Sequence, residues 1–258
     1  MSDSENEAPF FILGCPRSGT TILRDLLRTH DRLAAPEETH FYRWSYACQS
    51  PRYTQISRLN PVLLRHRDID GVSEEKFARD YDETMSRKEL QDRYMRAYLE
   101  KIGKPNARWF DKTPQNVYGI LLLKGDYPQA RFVHIHRNPV NVVASLLRGE
   151  VMQRQSLQAA INWWLEAITI MNAFRQAFPD IVLDIGYDEL TSQPDAVLSR
   201  ILEFVGEAPD ALHADLSMLR AESRGIGDLT AVDAQIVLQR CSSLMRPLGY
   251  PIDIESYR

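Results

Sequence analysis

Phe10 to Arg28 reads FFILGCPRSGTTILRDLLR. Four apolar residues, Phe10 to Leu13, run into the turn Gly14-Cys15-Pro16-Arg17-Ser18-Gly19, and a helical pattern begins at Thr20-Thr21. Leu23, Leu26, Leu27 and His30 share one face of that helix. Strand, glycine-bounded loop and helix start thus follow one another. Such a unit offers backbone N–H groups and the positive end of a helix dipole to an anion. The spacing Gly14-x4-Gly19 is that of a phosphate-binding loop, but Thr20-Thr21 stands where nucleotide triphosphatases carry Lys-Ser or Lys-Thr. The loop is expected to cradle a phosphate, with Arg17 as a substitute cation, and to be poorly equipped for Mg-ATP.

Downstream, Leu33-Ala34-Ala35 reads as a short second strand, Pro36 to His40 as a polar turn, and Phe41, Tyr42, Trp44 and Tyr46 as an aromatic cluster for the core or for an acceptor pocket. Ser50 to Glu100 holds ten basic and ten acidic residues and reads as helices and loops with a solvated face, laid over one end of the sheet. The α/β rhythm resumes with a strand at Arg108 to Phe110, ended by Asp111-Lys112-Thr113-Pro114, and a helix from about Gln115 to Lys124. Arg131 to His136 is a buried strand, and Pro139 opens the next helix. His134 and His136 alternate on that strand and read as structural. A long helix spans Leu157 to Ile168 and beyond, with Trp163-Trp164 as packing. Ile181 to Ile185 is another strand, Leu198 to Val205 lies on a helix, and a last helix spans Val232 to Met245. Strands alternating with helices imply a mainly parallel sheet covered on both faces, with ligands at the carboxyl ends of the strands. Arg17, Lys112 and Arg137 each lie just past an expected strand end, which suits a ligand with two or three negative charges.

The whole chain, 258 residues with 44% hydrophobic and 26% charged, suits one soluble α/β domain over residues 9–250, with an insertion at about 45–105 and a loose tail at 1–8. A formal charge of −4 argues against nucleic acid as a partner. Cys15, Cys48 and Cys241 show no paired spacing and read as reduced thiols of a cytoplasmic protein. No apolar run approaches the length of a membrane span, and no signal-peptide core is seen.

Pro16-Arg17-Ser18-Gly19-Thr20-Thr21 resembles the 5′-phosphosulfate loop of sulfotransferases that use 3′-phosphoadenosine 5′-phosphosulfate (PAPS). Arg131 to Leu147, RFVHIHRNPVNVVASLL, is similar to that family's 3′-phosphate segment, which places Arg137 and Ser145 on the 3′-phosphate. Tyr187-Asp188-Glu189-Leu190 resembles the adenosine-side segment. Ser223 to Asp228 resembles, one residue short, a glycine-bearing run near the end of the cytosolic branch, which would bring Arg224 and Gly225 to the 3′-phosphate. Glu37-Glu38-Thr39 resembles the tyrosylprotein sulfotransferase branch and its bacterial relatives, where the second glutamate is the general base. That position is Glu38, with Glu37 as second choice. The cytosolic branch carries a histidine base two residues after its catalytic lysine; here Lys112 fits the lysine, and Pro114 holds the histidine's place.

The resemblance implies a P-loop nucleotide-hydrolase-like three-layer α/β fold and in-line transfer of a sulfuryl group from PAPS. Glu38 would take the acceptor proton, and Lys112 and Arg17 would stabilise the transition state. Ser18, Gly19, Thr20, Thr21 and Ile22 would hold the 5′-phosphate. The implied product is adenosine 3′,5′-bisphosphate, with no metal required. The expected acceptor is a hydroxyl of a small molecule, lipid or glycan, and His40 lies near enough to contact it. Two other readings stand beside this one: a small-molecule kinase on a related P-loop fold, and a catalytically silent nucleotide-binding protein. Mg-ATP-dependent transfer marks the first, and nucleotide binding without turnover the second.

Overall fold

Phe10–Leu13 forms β1, and all four of its side chains are buried. Burial on both faces is what the centre of a parallel sheet demands. The computed structural model, which describes residues 8–149, 153–219 and 229–257, puts β1 third of five strands. The others are β2 (Leu33–Ala34), β3 (Arg108–Lys112), β4 (Arg131–His136) and β5 (Val182–Gly186), in the order β2-β3-β1-β4-β5. All four pairings are parallel, with Ile12 opposite Lys112 on one side and Val133 on the other.

The alternation along β1 sorts the layers. Phe10 and Ile12 pack with Leu23, Leu26 and Leu27 of α1 (Thr20–Leu27) and with Ile201 and Leu202 of a helix at Pro194–Val205. Phe11 and Leu13 belong to the opposite core, with Val143 on a helix at Pro139–Arg148, Trp164 on one at Leu157–Ala177 and Cys241 on one at Ala231–Met245. Phe10 stacks on Phe110 at 4.6 Å between ring centroids, tying β1 to β3 across their shared register.

Between β2 and β3 come α2 (Pro51–Leu59), α3 (Pro61–Asp70), α4 (Glu74–Glu83) and α5 (Arg87–Lys101). Ser50, Asn60, Ser73 and Ser86 cap their four N-termini through side-chain oxygens. Phe77 and Tyr81 of α4 and Leu90 and Tyr94 of α5 join the core that holds Phe11, so these helices are packed onto the sheet layer rather than strung across it. The remaining helices are α6 (Ile120–Asp126), α7 (Pro139–Arg148), α8 (Leu157–Ala177), α9 (Tyr187–Ser192), α10 (Pro194–Val205) and α11 (Ala231–Met245).

Three local expectations shift. β3 runs two residues past Phe110, because Asp111 and Lys112 pair with Phe11 and Ile12. The helix expected from Gln115 is a 3-10 turn, Pro114–Gly119, followed by α6. Its Asn116 side chain is drawn inward to Asp111, and Gly119 lies so close to Tyr42 that an added Cβ would sit 2.0 Å from its carbonyl oxygen. His30 lies beyond α1, buried, with Nε2 3.0 Å from the Ala208 carbonyl.

The chain leaves β1 towards β2 and leaves β4 towards β5, on opposite sides of the sheet. The switch between β1 and β4 opens a crevice at the carboxyl ends of the strands. Gly14, Thr113 and Arg137 are the residues that follow β1, β3 and β4 at that edge. No helix among the described residues is long and apolar enough to cross a membrane.

Candidate active site

The loop after β1 is shaped by two close approaches. An added Cβ at Gly14 would stand 2.4 Å from the Ile135 carbonyl oxygen. At Gly19, the N-cap of α1 with φ 94°, it would meet the Tyr187 ring at 2.2 Å. Arg17 holds φ 73°, a conformation that costs a non-glycine residue about 1–3 kcal/mol and clusters at ligand clamps. Among the described residues no side chain caps α1, so its first-turn N–H groups are placed to receive an anion. Ser18 is buried and its Oγ has no hydrogen-bond partner among the described residues. A buried hydroxyl without a partner, beside an uncapped helix N-terminus, fits a phosphate oxygen.

Lys112 ends β3, 1% exposed. Its Nζ lies 3.2 Å from Thr21 Oγ1 in the first turn of α1 and 2.5 Å from Glu38 Oε1. One ammonium therefore joins the helix N-terminus to a carboxylate. The other oxygen, Glu38 Oε2, is 3.3 Å from His40 Nε2. Burial pushes the Glu38 carboxyl up, but the His40 hydrogen bond and the Lys112 charge outweigh it and hold the group well below the usual carboxylate range. Burial lowers Lys112 from its ordinary value, opposed by Glu38. Glu37 is committed elsewhere: Arg24 Nη1 approaches Oε2 at 2.8 Å, and its N–H donates to Asp70 at 2.8 Å.

The loop that carries Glu38 is pinned from three directions. Thr39 Oγ1 donates to Asp111 Oδ2 at 2.7 Å, and the N–H groups of Thr39 and His40 both reach Thr113 Oγ1. From α3, the His66 Nδ1 lies 2.8 Å from the Glu38 carbonyl oxygen. Asp111 is fully buried and, among the described residues, has no cation at hydrogen-bond distance. It accepts from Thr39, Thr113, Asn116 and Gln91, and burial pushes its carboxyl up to about 6 despite those donors. Asp111, Thr113, His66 and Asp70 did not stand out in the sequence.

On the other side of the crevice, Arg17 Nε donates to Ser145 Oγ at 2.8 Å. Arg17 is thus bonded to α7 rather than to the Glu38–Lys112 pair, and it joins the 5′ loop to the residue expected on a 3′-phosphate. The Arg137 guanidinium stands 4.4 Å over the Tyr187 ring, and the Arg137 carbonyl accepts from Trp164 Nε1. Arg24, Glu37 and Lys112 with Glu38 thus form one charged cluster, and Arg17 with Ser145 and Arg137 with Tyr187 form two further pairs. Arg224, Gly225 and residues 1–7 of the expected tail lie outside the described residues.

The remaining expectations sort by burial. Phe41 and Tyr42 are core residues, the Tyr42 hydroxyl bonding Asp126, while Tyr46 is exposed. His134 bonds Asp184 and His136 bonds the Tyr250 hydroxyl, structural contacts between strands and to the chain's end. No group of metal-ligating side chains occurs among the described residues.

Comparison with known proteins points in one direction. The model described as the sulfotransferase family matches residues 9–210. Protein-tyrosine sulfotransferase 1 of Danio rerio is 26% identical over 203 residues, covering 76% of this chain and 52% of that protein. Nodulation protein NoeE of Sinorhizobium fredii is 25% identical, covering 77% and 50%. The chain thus spans about half the length of these two relatives. Among solved structures, the sulfotransferase domain of the Synechococcus PCC 7002 olefin synthase superposes with a TM-score of 0.64 at 21% identity, covering 97% of this chain and 98% of that one. That likeness establishes a shared P-loop-like fold.

Proposed function

The chain belongs to the sulfotransferase family, and from that premise we propose that it moves the sulfuryl group of PAPS to a hydroxyl of a small-molecule, lipid or glycan acceptor. One observation carries the reading. Lys112 Nζ stands within hydrogen-bond distance of both Thr21, at the N-terminus of α1, and the Glu38 carboxylate. A donor phosphate on that helix end would lie beside the cation, and an acceptor hydroxyl would lie beside the base.

PAPS supplies the sulfuryl group. The N–H groups of Thr20, Thr21 and Ile22, with the hydroxyls of Ser18, Thr20 and Thr21, hold its 5′-phosphate. Arg137 and Ser145, with Arg17 bonded to the latter, hold its 3′-phosphate. The bond between sulfur and the bridging phosphate oxygen breaks as the bond from sulfur to the acceptor oxygen forms. The acceptor proton passes to Glu38, and Lys112 and Arg17 stabilise the charge left on the phosphate side. The low affinity of Glu38 for a proton belongs to its pairing with Lys112 and His40. Lys112 has three N–H donors and bonds Thr21 and Glu38 with two of them; as it is drawn towards the leaving oxygen its hold on Glu38 weakens, and Glu38's basicity rises as the proton arrives. Glu37 is a poorer candidate for the base because Arg24 occupies it.

Calorimetry with adenosine 3′,5′-bisphosphate, followed by transfer of labelled sulfate from PAPS to a panel of phenols, sterols and sugars, tests the reading. Binding with transfer supports it. Transfer of phosphate from Mg-ATP, or nucleotide binding with no transfer to any acceptor, would replace it.

A further inference from the structure

We infer that His40 is a positioning residue for Glu38: its Nε2–H holds Glu38 Oε2, so that the carboxylate keeps its aim when Lys112 lets go of the other oxygen. The inference rests on Glu38 being the base of the proposed reaction.

Four observations carry it. The ring nitrogen Nε2 lies 3.3 Å from Oε2, while Lys112 takes Oε1. The backbone at His40 is held at φ 56°, a left-handed conformation uncommon outside glycine. It is fixed there by N–H bonds from Thr39 and His40 to Thr113 Oγ1, at 3.0 and 3.4 Å. The ring itself is clamped between its neighbours, near-parallel to His66 at 5.9 Å and 5.9 Å from Trp44.

The tautomer follows from the surroundings. Nδ1 is buried with no partner among the described residues. A proton on Nδ1 would leave a buried donor unpaired and turn the Nε2 lone pair towards a carboxylate; a proton on Nε2 gives the carboxylate a donor and leaves only a bare acceptor at Nδ1. A second proton would add a buried charge facing Arg43 and His66. The neutral Nε2–H form is therefore selected.

His40 reaches the reaction only through Glu38. It is 4% exposed, whereas the Glu38 side chain is 25% exposed. The cavity bounded by Glu38, His40, Trp44 and His66 measures about 10 Å³, about one water. With His40 almost fully buried, its route to the reaction runs through Glu38.

Two measurements test the inference. In ¹⁵N NMR of histidine-labelled protein saturated with adenosine 3′,5′-bisphosphate at pH 7, His40 should be a neutral ring protonated at Nε2, and that resonance should move in Glu38→Gln. A ring protonated at Nδ1, or at both nitrogens, overturns the inference without recourse to activity. In turnover with PAPS and an acceptor from the panel, His40→Met and His40→Gln have similar shape, but only Gln keeps a donor. Met should lower kcat roughly tenfold to a hundredfold, the value of a hydrogen bond to a charged group. KM for PAPS and the affinity for adenosine 3′,5′-bisphosphate should be unchanged, which also certifies folding. Gln should recover most of the loss, and in a Glu38→Ala background the Met substitution should cost nothing further. Equal kcat for Met and Gln, or an undiminished Met effect without Glu38, overturns the inference. Absence of transfer in the parent protein would remove the reaction that Glu38 serves, and with it the role of His40, whereas the ring-nitrogen measurement separately decides whether the His40–Glu38 contact exists.

Discussion

Replacing Lys112 with Met removes one partner of a pair that is mostly withdrawn from water. The Lys112 side chain is 2% exposed and the Glu38 side chain 25%. Breaking a buried pair by deleting one member costs about 3–5 kcal/mol, because the remaining charge stays desolvated. Glu38 keeps some access to water and its bond to His40, so about 3 kcal/mol is the expected loss for Lys112→Met. Adding Glu38→Gln should restore part of it, since the double variant leaves no unpaired charge, and the coupling in the double-mutant cycle should be about 2–3 kcal/mol. The pH dependence has a definite sign. In the parent, Glu38 is held below its unfolded value, so its contribution is full above about pH 4.3 and is lost as pH falls through its folded value. In Lys112→Met the largest influence left is burial, which pushes the carboxyl up. The deficit of the variant is then greatest near pH 7 and shrinks as pH falls and Glu38 takes a proton. Urea denaturation of the four proteins of the cycle at pH 7 and pH 4.5 measures both quantities. Coupling under about 0.5 kcal/mol, the value of an exposed pair, or a deficit equal at both pH values, would refute the reasoning.

Three further outcomes follow from the same geometry. Arg137→Ala should weaken adenosine 3′,5′-bisphosphate about tenfold to a hundredfold while leaving adenosine 5′-phosphosulfate unchanged in calorimetry; equal losses would remove Arg137 from the 3′-phosphate. Gly19→Ala, at φ 94° and 2.2 Å from the Tyr187 ring, should destabilise the fold by about 1–3 kcal/mol and weaken nucleotide binding, which thermal melts and calorimetry read together; a neutral substitution would contradict the close approach. Asp111, raised to about 6 by burial, is a carboxylate whose charged form the fold disfavours, so its contribution to stability falls as pH rises from about 4 to 6. Asp111→Asn should flatten that part of the stability profile, and it should lower stability at pH 5, where the parent's carboxyl is largely relieved and its donors are still satisfied, by about 1–3 kcal/mol; an unchanged profile would show that Asp111 does not titrate in this range.

Much of the fold was legible because its signals are contiguous. Strand, glycine-bounded turn and helix at Phe10–Leu27 occupy one stretch, and the run at Arg131–His136 marks a strand buried on both faces, with the partly buried Val182–Gly186 beside it at the sheet's edge. Between β2 and β3 only helices and loops with a solvated face are expected; the caps at Ser50, Asn60 and Ser86 and the packing of these helices are not read from the mixed charge. The candidate site was readable where a contiguous motif or a resemblance carries it, as with the loop around Ser18 and with Lys112. It was not legible where a role depends on partners distant in sequence. Thr39 meets Asp111 72 positions away, and Glu37 meets Asp70 33 positions away. The resemblance puts Glu38 ahead of Glu37, whereas the pairing of Glu37 with the Arg24 side chain on α1 has no local signal. Arg17 reads as a cation of the loop, and its bond to Ser145, 128 positions away, has no local signal.

The central claim is that Glu38 and Lys112 act on a donor held at the N-terminus of α1. The most direct measurement pairs the turnover of Glu38→Gln with its affinity for adenosine 3′,5′-bisphosphate. The account predicts sulfate transfer from PAPS by the parent, a loss of roughly a hundredfold or more in kcat for the variant, and nucleotide affinity within about twofold of the parent, because no phosphate contact is removed. Turnover by Glu38→Gln equal to that of the parent would contradict the account.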